Sequence, residues 1–239
     1  MQYSTFAAID IGSYDVILEI FEISKKQGIR SVDKICHRME LGKDTYTLGK
    51  IRPEMEEELC RVLADFVRIM EGYRVDDYRA TASSAISEAS NSLYVLGKIH
   101  QLTGLSVTVL SNSEQRFLSY KALAAMEDNF NKIIEKGTAI LDLDGGSFQI
   151  SLFDKDTLVS TQNLRLGVLR LQELLNHLNA GSTQMERLVD ELATAQLDDY
   201  KKLYLKDREI KNIIIVDDYL SPWAAVSYTH LRAHETSQD

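Results

Sequence analysis

Two stretches of the chain share one pattern of apolar and polar positions. Residues 8–21 read AIDIGSYDVILEIF, and residues 139–153 read AILDLDGGSFQISLF. Each runs as an apolar strand, an Asp, an apolar residue, a Gly-containing turn with a Ser, and a second, alternating strand. Val16, Leu18 and Ile20 alternate with Ile17, Glu19 and Phe21; Ile150 and Leu152 alternate with Gln149 and Ser151. Period two predicts strands, and a short Gly turn between them predicts a hairpin. A pattern that returns in this way predicts a duplicated unit.

The positions after the first hairpin extend the unit. Residues 30–41 predict a third strand. Pro53 opens a helix with Met55, Leu59, Val62, Leu63, Phe66, Val67 and Met70 at helical spacing, since Pro suits a first turn. Residues 75–82 predict a strand and 88–102 a helix stopped by Gly104. Residues 105–110 predict a strand. Ser113 then caps a helix to about residue 126, with Leu118, Ala122 and Ala125 facing inward. The order is β-β-β-α-β-α-β-α. The second copy predicts strands at 138–143, 148–154 and 157–164, helices at 169–178 and 185–205, and a buried strand at 212–216. The pattern then stops short of a second full unit.

Residues 226–239, VSYTHLRAHETSQD, lack either periodicity. They read as a non-native tail after a break near 221–225. The expected domains are therefore 1–128, an incomplete 129–225, and a disordered 226–239. His230 and His234 have helical i, i+4 spacing but no third ligand for a metal.

Composition is that of a globular protein: 44% hydrophobic and 26% charged residues. A net charge of -9 opposes binding to nucleic acid or anionic membrane, while leaving a locally positive phosphate site possible. Cys36 and Cys60 lack metal-ligand spacing and suggest reduced thiols in a cytoplasmic protein. No signal peptide or membrane-spanning run is read.

Five segments in order then resemble one family. AAIDIGSYD resembles the first phosphate loop of the exopolyphosphatase/guanosine pentaphosphate phosphatase family, usually AxDxGSNS. SSAISEASN at 83–91 resembles its TSAxREAxN, VLSNSEQRFLSY at 109–120 its SGxEEARL helix start, ILDLDGGSFQI its IDIGGGSTEL, and LRLGVLRLQE its LPLGxVRLTE. The resemblance implies a duplicated actin-like ATPase (ribonuclease H-like) α/β fold, its second unit truncated here, with the active site in the cleft between two domains. It implies hydrolysis of a terminal phosphoanhydride of polyphosphate or pppGpp with Mg²⁺, and leaves a homodimer of the full-length protein open.

The residue types suit that chemistry. Gly12 and Ser13, with Gly145, Gly146 and Ser147, can offer short backbone and hydroxyl donors to phosphate oxygens. Asp142 at a strand end is a hard oxygen ligand for Mg²⁺. Glu114 is, by the resemblance, the base that deprotonates the attacking water. The same residues have plainer roles open to them: glycines as turn formers, Asp10 and Asp142 as turn residues, Glu114 as a first-turn acid favoured by the helix dipole. Several positions also depart from the family pattern: Tyr14-Asp15 for Asn-Ser, Ser87 for Arg, Asp144 for the first Gly of GGG, Phe148 for Thr and Gln149 for Glu. They support an alternative, a catalytically degenerate member that binds a phosphate or nucleotide ligand as a regulator. A sugar kinase would need a transfer base and a sugar-binding insertion, and neither is visible.

Overall fold

Strand β1 (Ser4–Ile11) runs antiparallel to β2 (Asp15–Ser24), which runs antiparallel to β3 (Gly28–Arg38). On its other side β1 pairs in parallel with β4 (Asp77–Ala82), and β4 with β5 (Val107–Val109). The sheet order is β3-β2-β1-β4-β5. A second sheet repeats its first four positions. Strand β6 (Thr138–Leu143) is antiparallel to β7 (Phe148–Asp154), β7 to β8 (Thr157–Leu164), and β6 is parallel to β9 (Asn212–Asp217), in the order β8-β7-β6-β9. In this computed structural model the chain divides into two units, Met1–Gln115 and Arg116–Asp239, and the described residues are 3–126, 129–177, 182–205 and 208–217. The tail 226–239 lies outside them.

The duplication holds at the level of register. β1 and β6 occupy the same place in their sheets, and each hairpin carries a register shift at the same point of its second strand, between Ile20 and Phe21 and between Leu152 and Phe153. A bulge at a matching place bends both outer ribbons alike.

In the first unit, alternate residues Ala7, Ile9 and Ile11 of β1 and Val16, Leu18 and Ile20 of β2 are fully buried. They share one core with Leu59, Leu63 and Phe66 of α2 (Pro53–Tyr73) and Val95 and Ile99 of α4 (Ser92–Thr103). Each Val, Leu, Ile or Phe among them contributes about 1.5–3 kcal/mol by leaving water. Pro53 stands at the start of α2 as its pattern predicts, and Gly104 ends α4 in the left-handed conformation. Two short helices carry no period long enough to read from sequence: α1 (Leu41–Leu48) and α3 (Ser84–Ser87).

Helix α5 (Asn112–Met126) follows β5. Its cap is Ser111 rather than Ser113, because the Ser111 hydroxyl accepts the Glu114 N–H at 3.2 Å. Its inward residues also differ from the prediction: Ala122 and Ala125 are exposed and Leu118 is 38% exposed. Tyr120 and Leu123 pack instead on Phe130, Ile134, Ile140 and Phe153, where α6 (Phe130–Ile134) leads into β6. The opposite face of the second sheet packs Ile150, Leu164 and Leu166 with Tyr200, brought by α7 (Val168–His177) and α8 (Ser182–Tyr200), the latter ending in a π-helical turn at Lys201–Leu205. Strand β9 is only half buried. Ile214 and Val216 join the core, whereas Ile213 and Ile215, pointing to the opposite face of the strand, are exposed.

Candidate functional site

Parallel pairing brings three strand ends of the first unit to one edge. Ile11, Ala82 and Val109 are register partners in turn. The pairing continues one step further, with Ser83 N–H donating to Ile11 O at 3.2 Å and Leu110 N–H to Ala82 O at 2.9 Å. The segments that leave this edge are Gly12-Ser13, Ser83-Ser84 and Ser111 to Glu114. Ligands of open α/β sheets bind at carboxyl ends of strands, and three of the matched motif segments meet there.

Gly12 makes the turn possible. Its N–H donates to Asp15 O at 2.9 Å, and a Cβ on it would lie 2.9 Å from that same oxygen. Ser13 is 1% exposed, and its hydroxyl is engaged by Tyr46 at 2.7 Å and Ser84 at 3.3 Å. The expected phosphate donor is therefore held inside a hydroxyl cluster. Asn91, last of the 83–91 segment, clamps the Ile51 backbone by accepting its N–H and donating to its carbonyl. That role is structural.

Glu114 is exposed at the start of α5 and closes a capping box. Its Oε2 accepts the Ser111 N–H at 2.9 Å and the Ser111 hydroxyl at 2.8 Å. Those two bonds, with a smaller effect of Arg79, hold the carboxyl below its ordinary range. It is ionised at neutral pH, as a base must be, but its free lone pairs are fewer.

In the second unit the turn has the same closure: Asp144 N–H donates to Ser147 O at 2.9 Å. Gly12, Ser13, Tyr14 and Asp15 thus correspond to Asp144, Gly145, Gly146 and Ser147. Asp10 matches Asp142, but the two serines occupy different corners of the turn, because the pattern of residue types drifts against the backbone closure. A second correspondence lies beyond the hairpins. Leu41-Gly42 and Leu166-Gly167 both follow a third strand and both place amides on the turn. Gly42 N–H donates to Ser13 O at 2.8 Å, and Leu169 N–H to Gly145 O at 3.0 Å. Gly167 lies so close that a Cβ would come 2.2 Å from Gly146 C and 2.3 Å from Ser147 N. Arg170 Nε donates to Gly146 O at 3.0 Å. Gly145, Gly146 and Ser147 are buried beneath these contacts, and the Gly145 N–H meets the Asp144 carboxylate.

The row behind this turn tests the fit of Mg²⁺. Asp142 on β6 is directly opposite Gln149 on β7, and Gln149 is directly opposite Asn163 on β8. Cross-strand partners share a face. Gln149 Oε1 and Asn163 Oδ1 are buried without a hydrogen-bond partner among the described residues, which costs about 1–3 kcal/mol each. Two orphaned hard oxygens beside a carboxylate suit a cation that binds one or two carboxylates and keeps several waters. The described residues contain no group of three or more His, Cys, Asp and Glu that could hold a metal, so such a site depends on the amides.

Two sheets of matching order, each opening on a strand–turn–strand hairpin, define a duplicated actin-like α/β protein. The chain belongs to the Ppx/GppA phosphatase family, whose model matches residues 19–216. It is 22% identical over 210 residues to a bifunctional 3-dehydroquinate synthase/phosphatase of Fusobacterium nucleatum, covering 82% of this chain and 31% of that protein. It is 25% identical over 144 residues to exopolyphosphatase 1 of Mycobacterium leprae, covering 60% and 41%. The chain thus spans well under half the length of these curated relatives. Its fold is similar to the crystal structure of the Aquifex aeolicus Ppx/GppA family member, with a TM-score of 0.69 at 21% identity over 96% of this chain and 72% of that one. No helix among the described residues is long and apolar enough to cross a membrane.

Proposed function

We propose that this chain is the phosphate-loop portion of a phosphatase that hydrolyses a terminal phosphoanhydride of polyphosphate or pppGpp. The observation that carries the reading is the repeated turn, closed by the same backbone bond in both units at the end of a central strand. Gly12 and Ser13, and Gly145, Gly146 and Ser147, contribute the phosphate-binding turns. Glu114 accepts the proton of the attacking water. Asp142, with the amide oxygens of Gln149 and Asn163, would hold Mg²⁺, which supplies charge neutralisation at phosphate oxygens when bound. Phosphate release by the protein and by Glu114→Gln tests this. Gln also closes a capping box, so the variant keeps the helix start while losing the base.

A second reading has its own support: the chain binds a phosphate ligand as a regulator without turning it over. Ser13 is sequestered, the Gly145 N–H already meets a carboxylate, and Glu114 is committed to its cap. Saturable binding of pppGpp without phosphate release would favour it.

A further inference from the structure

We propose that Tyr46 sets what the first unit's phosphate turn can hold. Its phenol oxygen sits between the hydroxyls of Ser13 and Ser84 in the place that an oxygen of a phosphate ester or anhydride takes on binding. The inference rests on the phosphate-binding reading above.

The three hydroxyls form a closed triangle. Tyr46 OH is 2.7 Å from Ser13 Oγ and 2.8 Å from Ser84 Oγ, and the two serines are 3.3 Å apart. Ser13 follows β1 and Ser84 follows β4, so the cluster lies where neighbouring parallel strands end, the usual ligand edge of such a sheet. Both serines are buried, whereas Tyr46 is partly exposed. A ligand oxygen that replaced the phenol would need only this one side chain to move.

Helix α1 delivers Tyr46 there by anchors on its other residues. Gly42 N–H donates to Ser13 O at 2.8 Å, and Thr45 Oγ1 donates to Ala85 O at 2.6 Å. The Asp44 carboxylate accepts the backbone N–H of Arg52 and its Nε, each at 2.9 Å. The helix is fixed, so exchange falls on the Tyr46 side chain. A neutral hydroxyl in the triangle both donates and accepts. An anionic phosphate oxygen accepts from both serines, and such charge-assisted bonds are roughly twice as strong as neutral ones. Ligand and phenol therefore compete for the same two donors, and the phenol lowers affinity without abolishing it. Tyr46 lies outside the five family-like segments, so motif matching does not reveal it.

Calorimetric titration of the full chain with pyrophosphate, at ionic strength matched with chloride, tests the exchange. Tyr46→Phe keeps the ring and removes the competing oxygen. Its expected effect is about 3–10-fold tighter binding, the equivalent of one neutral hydrogen bond no longer displaced. Adding Ser84→Ala to that variant should erase the gain, because the two sites share a network. If Tyr46→Phe does not fold, Ser84→Ala alone should weaken pyrophosphate binding about 3–10-fold. Equal or weaker binding by a folded Tyr46→Phe, or an unaltered affinity in Ser84→Ala, overturns the inference and leaves the phosphate reading standing. No saturable pyrophosphate binding in any of these proteins overturns that reading, and the inference with it.

Discussion

Replacing Gly167 with Ala places a methyl group against the backbone of the second unit's hairpin turn. The added Cβ would stand 2.2 Å from Gly146 C, 2.3 Å from Ser147 N and 2.4 Å from Gly145 O. Ordinary carbon contacts begin roughly 1 Å further out, and all three atoms are main chain, so no flexible side chain can give way. Relief requires α7 to lift from the turn, which strains the Leu169 and Arg170 amide bonds to Gly145 O at 3.0 and 3.3 Å. Overpacking of this kind costs about 1–3 kcal/mol, or a fall in melting temperature of roughly 2–12 °C for a chain of this size. Thermal and urea unfolding measure the loss. Hydrogen exchange at Leu169 and Arg170 should locate it. Gly97→Ala is the control: it lies inside α4 with nothing within 4 Å of an added Cβ, and should leave stability unchanged or raise it by about 0.4–1 kcal/mol. A Gly167→Ala protein within about 0.5 kcal/mol of the parent, with unaltered exchange at those amides, would refute the close packing of turn and helix.

Asp44→Ala should destabilise the first unit by about 1–3 kcal/mol, read by urea unfolding, since a carboxylate that is 3% exposed leaves the Arg52 N–H and Nε without their acceptor. Glu114 should make the start of α5 pH-sensitive. Its folded pKa is lowered, so its contribution is complete above the ordinary glutamate value of about 4.3 and is lost as pH falls through the lowered value. Exchange at the first amides of α5 should rise in that acid range in the parent and stay flat in Glu114→Gln. Gln149→Met removes an orphaned buried oxygen. It should stabilise the metal-free protein by about 1 kcal/mol and diminish any rise in melting temperature produced by Mg²⁺ or Mn²⁺.

The fold was legible where periodicity spans a whole element. The strands of the second hairpin fall at the predicted boundaries, and α2 starts at Pro53. Helix α1 was not legible because its direction is set by Glu40 in a left-handed conformation and by bonds to residues distant in sequence, Ser13 and Ala85. The α5 stripe misled because Leu118 and the alanines fit a helical spacing equally well, while Tyr120 is chosen by its ring contact with Phe153, edge-on at 5.3 Å. At the candidate site, motif matching found the turns but not their closures. Ser13 and Ser147 looked equivalent as residue types, and only the backbone bonds show the shift. Gln149 stands where the family has Glu, and cross-strand register sets it beside Asp142 and Asn163 as a buried oxygen. The Leu-Gly repeat at 41–42 and 166–167 is legible in the sequence as a continuation of the duplication past the third strand.

Phosphate release from polyphosphate and pppGpp in the presence of Mg²⁺ tests most directly whether the protein hydrolyses phosphoanhydrides with Glu114 as base. The parent protein should release phosphate in a saturable reaction, and Glu114→Gln should lower the rate by roughly 10²–10⁴-fold while the protein still unfolds cooperatively. Equal rates in the two proteins would contradict the role of Glu114, and no release by the parent would contradict the hydrolase reading itself.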